Sequence, residues 1–124
     1  MALEFRPVKQ GHQINDWVKA LKGKSGVYVI REKAHPLVVF LDMAEVIYIG
    51  ESHTGRLYST LLRHFQRWTG KTAGPTFPVS KIEVAVVRCP ANRALALQNA
   101  MIEEYRPKLN ITANPDAEKA KIKA

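Results

Sequence analysis

The sequence predicts a small α/β domain of the α+β type, in which a three-stranded sheet, mixed or antiparallel, is flanked by helices. Segments 25–32, 45–50 and 81–88 are rich in β-branched and aromatic residues, which favour strands. Segments with helical periodicity follow the second and the third of these strands. This order of strands and helices suggests a sheet with helices packed on both sides. The 124 residues suit one domain, with its core at about 25–110.

Composition excludes several classes of protein. With 46% hydrophobic and 24% charged residues, the chain is typical of a globular protein rather than a disordered one. Its longest apolar run, "LVVFL" at 37–41, is too short to cross a bilayer, and the first ten residues lack a signal-peptide core. Cys89 is the only cysteine, so no internal disulfide can form. We therefore expect a cytoplasmic protein that has no contact with membranes.

The charge balance points to a polyanionic partner. Lys and Arg number 19 against 11 Asp and Glu, which gives a net charge of +8 and a pI near 9.8. For a small domain this excess favours nucleic acid, and a basic protein that binds another protein is the alternative. The polar, Lys-rich segment at about 112–124 is predicted to be a mobile tail.

The first half of the chain gives one short helix and two strands. "INDWVKALKGK" predicts a helix at about 14–22, with Asn15 as its cap and Gly23 as its stop. Its apolar face consists of Trp17, Val18 and Leu21. The strands Ser25–Glu32 and Glu45–Gly50 enclose "LVVFL", which is either a third strand or a packed loop. "ESHTG" then predicts a loop, with Thr54 as a possible cap for the next helix.

The next helix, predicted over "GRLYSTLLRHFQRW", carries two stripes. The apolar stripe is made of Leu57, Leu61, Phe65 and Trp68. The polar stripe is made of Arg56, Thr60, Arg63 and Arg67, and His64 lies on the border between the two stripes. Three arginines along one edge of a helix suggest an anion-binding edge, although a solvated basic face has the same pattern. A Gly- and Pro-rich loop follows, and then the strand at 81–88.

The last helix raises a question about Gln98. It begins near Pro90 or Asn92 and ends at "PKLN". Its apolar face comprises Ala94, Leu97, Met101, Ile102 and Tyr105. Gln98 falls inside this apolar arc, and a buried amide without hydrogen-bond partners costs about 1–3 kcal/mol. Gln98 is therefore either a core amide with satisfied hydrogen bonds or part of the wall of a cleft.

Four motifs together resemble the GIY-YIG nuclease superfamily. They are "GVY" at 26–28, "YIG" at 48–50, "LLRHF" at 61–65 and "LQNAMIEEYRPKLN" at 97–110, so the resemblance spans Ser25 to Asn110. The resemblance implies the fold of that superfamily and metal-assisted hydrolysis of nucleic-acid phosphodiesters, with DNA as the expected substrate. It also implies one divalent ion, Mg²⁺ or Mn²⁺, held by a helix glutamate and by phosphate oxygens.

The resemblance assigns roles to individual residues. Tyr28 and Tyr48 match the two tyrosines, one of which takes a proton from the attacking water. His64 matches the helix histidine, and Arg63 matches the arginine, with Arg56 as the alternative. Gly26, Gly50 and Asn110 are assigned structural roles, and the residues expected to bind nucleic acid are Arg56, Arg63, Arg67 and Lys71. A tyrosine has an ordinary pKa near 10, so a basic tyrosine needs cations that lower its pKa, and Arg63 and the metal are the expected ones.

Two features depart from the pattern. The strands of Tyr28 and Tyr48 are separated by an insertion, "KAHPLVVFLDMA". It is a lid, a partner surface or extra packing, and its five consecutive apolar residues favour packing. More importantly, Gln98 stands where the metal-binding glutamate is expected. A neutral amide holds Mg²⁺ poorly, and Glu103 and Glu104 point elsewhere round the helix.

We therefore expect this chain to be inactive or strongly impaired. Either an active nuclease carries a Glu-to-Gln change at position 98, or the chain is a natural non-catalytic relative that binds nucleic acid. Because 124 residues leave little room for a separate recognition domain, recognition of a long site would need a homodimer or a fusion partner.

Overall fold

The order of strands and helices follows the sequence prediction, with an additional hairpin near the N-terminus. The structure, a computed structural model, describes residues 3–33, 46–65 and 79–107. Its elements are β1 (Lys9–Gln10), β2 (Gln13–Ile14), α1 (Asp16–Lys19), β3 (Gly26–Glu32), β4 (Val46–Ser52), α2 (Leu57–Arg63), a 3₁₀ helix (Val79–Lys81), β5 (Ile82–Arg88) and α3 (Ala91–Tyr105).

The main sheet has the order β4-β3-β5, with β3 in the centre. Both pairings are antiparallel, so the small three-stranded α+β architecture is confirmed and the mixed alternative is wrong. The register sets Tyr28 opposite Gly50 and Ile30 opposite Tyr48. The "GVY" and "YIG" segments therefore lie side by side, despite the long insertion between their strands.

Helices cover both faces of the sheet, as predicted. Alternate residues of a strand face opposite sides, so β3 contributes to two hydrophobic clusters. Tyr28 and Ile30 pack in one cluster with side chains from α1 and α2, including the buried Leu57 and Leu61. The other cluster joins Val27, Val29 and Ile49 to Met101 and Ile102 of α3. Burial of each such aliphatic side chain contributes about 1.5–3 kcal/mol.

The N-terminal helix is shorter than predicted. It spans Asp16–Lys19 rather than about 14–22, because Gln13 and Ile14 pair with β1 around Gly11. Asn15 occupies the cap position, but its side chain donates to the Pro7 carbonyl at 2.8 Å instead of capping α1. Gly23 has a φ of 74°, a left-handed conformation that suits a glycine where the turn after α1 ends.

The connection from β4 to α2 corrects three further predictions. β4 continues through Glu51 to Ser52, two residues beyond the predicted end at Gly50. Thr54 does not cap α2, because the Ser52 hydroxyl accepts the Arg56 N–H at 3.1 Å and the cap position is Arg56. α2 ends at Arg63 rather than Trp68. The N–H groups of His64 and Phe65 bond carbonyls three residues back, which tightens the last turn.

The final helix agrees with the prediction. Of the two expected starting points, Pro90 is the cap residue, and the helix ends before Arg106, which is left-handed with a φ of 47°. The predictions for "LVVFL", Arg67, Trp68, Lys71, Asn110 and the tail at 112–124 lie outside the described residues. None of the described helices has the length and apolar character needed to cross a membrane.

Candidate active site

Tyr28 and His64 form the centre of the candidate site. Tyr28 lies on the central strand β3, and His64 is the residue at which α2 ends. The Tyr28 hydroxyl and His64 Nε2 are 2.6 Å apart, and the two residues are only 2% and 5% exposed. One proton lies in this contact, either donated by the phenol or donated by the imidazole, depending on the tautomer of His64.

Tyr48 completes a group of three rings. Its ring centroid lies 4.8 Å from that of His64 and 6.2 Å from that of Tyr28. β4 delivers Tyr48 to the same face as Tyr28, since Tyr48 is paired with Ile30 and paired residues share a face. Two tyrosines and a histidine that are distant in sequence are thus held as one aromatic cluster.

Gly50 is needed because Tyr28 occupies the space above it. A Cβ atom at position 50 would overlap the hydroxyl and ring of Tyr28. Gly26 is restricted in the same way by backbone, because its Cβ would overlap the Val87 carbonyl oxygen of β5. The structural roles predicted for these two glycines therefore have a steric explanation.

A cleft of about 160 Å³ opens beside this cluster. It is lined by Tyr28, Tyr48, Gly50, Glu51, Thr60, Arg63, His64 and Gln98. The structure thus brings together both tyrosines, the preferred arginine, the histidine and Gln98. Thr60 and Arg63, two members of the predicted polar stripe on α2, face the cleft. Arg56 is exposed and is not among the lining residues, which favours Arg63 over its alternative.

Gln98 lies in the wall of the cleft rather than in the core. Its side chain is half-buried, and its Nε2 donates to Asn99 Oδ1 over a long 3.4 Å contact. The neighbouring residues Met101 and Ile102 carry the buried face of α3. Of the two alternatives for this amide, the structure favours the cleft.

Burial sets the electrostatics of the tyrosines. Burial raises the pKa of Tyr28 well above its ordinary value, and the negative charges of a Tyr48 phenolate and of Glu51 act in the same direction. Arg63 acts to lower that pKa but is outweighed. Burial also raises the pKa of Tyr48. Arg63 alone therefore does not make a tyrosine basic, and both phenols of the protein without metal keep their protons at neutral pH. That Arg63 and the metal together lower the pKa stays a prediction.

Glu51 is a cleft residue that the sequence did not reveal. The sequence predicted a loop at Glu51, but this residue belongs to β4. Glu51 is paired with Val27, which faces the α3 side of the sheet. Its side chain is 14% exposed, and its carboxylate lies 3.0 Å from His53 Nδ1. The one available signal was its position directly after "YIG", which does not by itself show that the strand continues.

The donor set allows only a weak divalent-metal site. Glu51 brings one carboxylate to the cleft and Gln98 one amide oxygen. Mg²⁺ is commonly held by one or two carboxylates together with substrate phosphates, so these residues fit an ion that depends on substrate for its remaining ligands. Within 3–33, 46–65 and 79–107, no three His, Cys, Asp or Glu side chains gather as a metal-binding group.

Comparisons of the chain with protein families, with curated proteins and with solved structures found no match.

Proposed function

We propose that this domain is a GIY-YIG-type endonuclease domain that hydrolyses nucleic-acid phosphodiesters, with DNA as the expected substrate, and that Gln98 impairs it. The observation that supports the proposal is the content of one cleft. β3 contributes Tyr28 and β4 contributes Tyr48. α2 contributes Arg63, and His64 is the residue at its end. α3 adds Gln98. These are the five residues to which the resemblance assigns a reactive or ligand-binding role.

The Tyr28–His64 pair can move a proton from water. In hydrolysis, a water oxygen attacks phosphorus, the bond from phosphorus to the leaving oxygen breaks, and the water must lose a proton. A neutral phenol can accept that proton only while it releases its own. At 2.6 Å, unprotonated His64 Nε2 is placed to receive the phenol proton as Tyr28 takes one from water. Tyr28 thus needs no stable phenolate, which its raised pKa disfavours.

Arg63 and a divalent ion would act on the phosphate. Arg63 lines the cleft, where a guanidinium can donate hydrogen bonds to the phosphate oxygens as negative charge develops. Glu51 and Gln98 are the residues that would hold the ion. When bound, the ion supplies further positive charge at the phosphate, and the neutral amide of Gln98 weakens its binding.

Restoration of a carboxylate at position 98 tests this proposal. We expect Gln98→Glu to gain cleavage of DNA in Mg²⁺ or Mn²⁺ over the parent chain, with RNA assayed in parallel. Ala100→Glu is the matched control, because it adds the same group at an exposed position of α3. Gln98→Glu combined with Tyr28→Phe should lose the gain. If Gln98→Glu cleaves no more than the parent or the control, the nuclease proposal is wrong.

A non-catalytic nucleic-acid-binding domain is the second candidate. The neutral amide at position 98 and the protonated tyrosines favour it over an active enzyme in the parent chain. On this hypothesis Gln98→Glu gains no activity, whereas Arg63→Ala weakens DNA binding and reduces its salt dependence.

A further inference from the structure

Two adjoining cavities lie at the end of the sheet where β3 begins and β5 ends. The larger, of about 670 Å³, is bounded by the end of β5 and the first two turns of α3, including Arg88, Arg93 and Leu97. The smaller, of about 320 Å³, is bounded by Gly23, Lys24 and Ser25 before β3. Arg88 and Cys89 line both, so the two cavities adjoin at these residues, and their combined lining is one surface.

This surface is cationic, and no acidic residue of the described chain lines it. Lys24, Arg88 and Arg93 are its exposed cations. Among the described residues, the ion pairs involve Arg6, Arg31 and His53, and no described carboxylate pairs with the three cations. Three exposed cations that have no carboxylate partner among the described residues attract an extended anion, since each can bind a separate anionic group.

The surface adjoins the candidate active site. Leu97 lines the larger cavity, and the next residue, Gln98, lines the catalytic cleft. In the sheet, Arg88 is opposite Gly26, and Tyr28 lies two residues further along the same strand. At about 3.3 Å per residue, Arg88 is roughly 7 Å along the sheet from the level of Tyr28, which is about the axial rise of two base pairs in a duplex.

We propose that Lys24, Arg88 and Arg93 form a phosphate-binding surface that holds the nucleic-acid backbone next to the cleft. The inference rests on the proposed function, since it assumes that the cleft receives a phosphodiester. None of the described residues that line the two cavities is aromatic, so bases have no ring to stack on among them. The contact is therefore with phosphates and independent of base sequence. An extended polyanion fits three separate cations better than one small anion does.

The salt dependence of binding tests this surface. The test variant is Lys24→Gln/Arg88→Gln/Arg93→Gln, and the probes are a fluorescent DNA duplex and its single strand. The matched control is Lys19→Gln/Lys33→Gln/Lys81→Gln, which removes three exposed charges elsewhere. Lys33 and Lys81 are joined by a backbone hydrogen bond at the opposite end of β3 and β5. Both variants lower the net charge equally, and circular dichroism checks that each is folded.

The expected result follows from counterion release. Each lost phosphate contact on duplex DNA lowers the slope of log affinity against log salt by about 0.9, so the test variant should lose roughly 2 to 3 in slope. Its affinity at moderate salt should fall at least about tenfold, while the control changes much less. Equal losses in the two variants overturn the phosphate surface but leave the proposed function standing. Failure of the parent chain to bind either probe overturns both.

A crosslink in the parent chain gives a second measurement that needs no charge variant. Cys89 is the only cysteine and lines both cavities, so a duplex with a disulfide tether on one phosphate can report contact with it. We expect rapid crosslinking that excess unmodified duplex suppresses at a lower concentration than a poly-glutamate peptide of equal charge does. Suppression by the peptide at an equal or lower concentration than by the duplex would overturn the proposal, as would the absence of crosslinking.

Discussion

The ring of Tyr28 lies over Gly50, its partner across β3 and β4, and fills the space that any side chain at position 50 would require. The glycine of "YIG" is therefore a steric condition for the tyrosine of "GVY". The hydroxyl of that tyrosine lies 2.6 Å from His64 Nε2, a position open to it because Gly50 has no side chain.

Gly50→Ala should therefore destabilise the domain through Tyr28. We expect a loss of about 1–3 kcal/mol in the free energy of unfolding, as for an overpacked core, measured by denaturant titration. In a Tyr28→Leu background the same substitution should cost much less, because the ring that clashes has been removed. An equal cost in both backgrounds would mean that strain elsewhere, rather than Tyr28, excludes a side chain.

Tyr28→Phe should reveal the pH dependence that burial of the phenol creates. Because the pKa of Tyr28 is raised on folding, the unfolded chain loses its proton first, from about pH 10 upward. Below about pH 10, the contribution of Tyr28 to the free energy of unfolding should therefore be constant. Above about pH 10 it should fall by up to about 1.4 kcal/mol per pH unit, until the pH reaches the pKa of Tyr28 in the folded protein. Unfolding titrations from about pH 8 to 11 should show a shallower fall in Tyr28→Phe. Parallel curves would exclude a buried phenol at position 28.

Glu51→Gln should lower the pKa of Tyr28 towards its ordinary value. The Glu51 carboxylate is one of the charges that raise this pKa, so its neutralisation favours the phenolate. The alkaline titration of tyrosinate absorbance measures the change, and subtraction of the curve of the same chain carrying Tyr28→Phe isolates this phenol. Glu103→Gln, an exposed change on α3, is the control and should leave the curve in place. An unchanged Tyr28 titration in Glu51→Gln would mean that the carboxylate does not act on the phenol.

Ser52→Ala should destabilise the start of α2, whereas Thr54→Ala should not. The buried Ser52 hydroxyl accepts the Arg56 N–H, and its loss leaves that donor without its partner. We expect a cost of about 1 kcal/mol for Ser52→Ala and less than about 0.5 kcal/mol for the exposed Thr54→Ala. Thermal unfolding of the two variants measures the difference, and the reverse order would restore Thr54 as the cap.

Periodicity and composition predicted the features of the fold that are set by which residues share one face of a strand or helix. The three strands, α3 and the two-sided packing follow from apolar patterns that local sequence displays. Those patterns also put Thr60 and Arg63 on one edge of α2, and both line the cleft. The helical pattern alone showed that Gln98 is either a core amide or part of a cleft wall. The choice between these two positions depended on the three-dimensional packing of the neighbouring strand.

Features that depend on register or on a few polar contacts were not predictable in this way. β1 and β2 are two residues each, and their pairing around Gly11 leaves no alternating pattern to detect. Glu51 entered the cleft because β4 runs two residues past "YIG", a continuation that the turn-forming residues after it conceal. The high pKa of Tyr28 reflects three-dimensional burial that outweighs Arg63, a balance that sequence order does not reveal.

The two hydrophobic clusters determine which unfolding events disrupt the cleft. Tyr28 and His64 belong with the α2 side of the sheet, whereas Gln98 is carried by α3 on the other side. The cleft therefore exists only while both layers are docked, and partial opening of either layer dismantles it as completely as global unfolding does. Amide hydrogen exchange in α2 and α3, the helices that carry the two halves of the cleft, should accordingly report the fraction of molecules in which the cleft is intact.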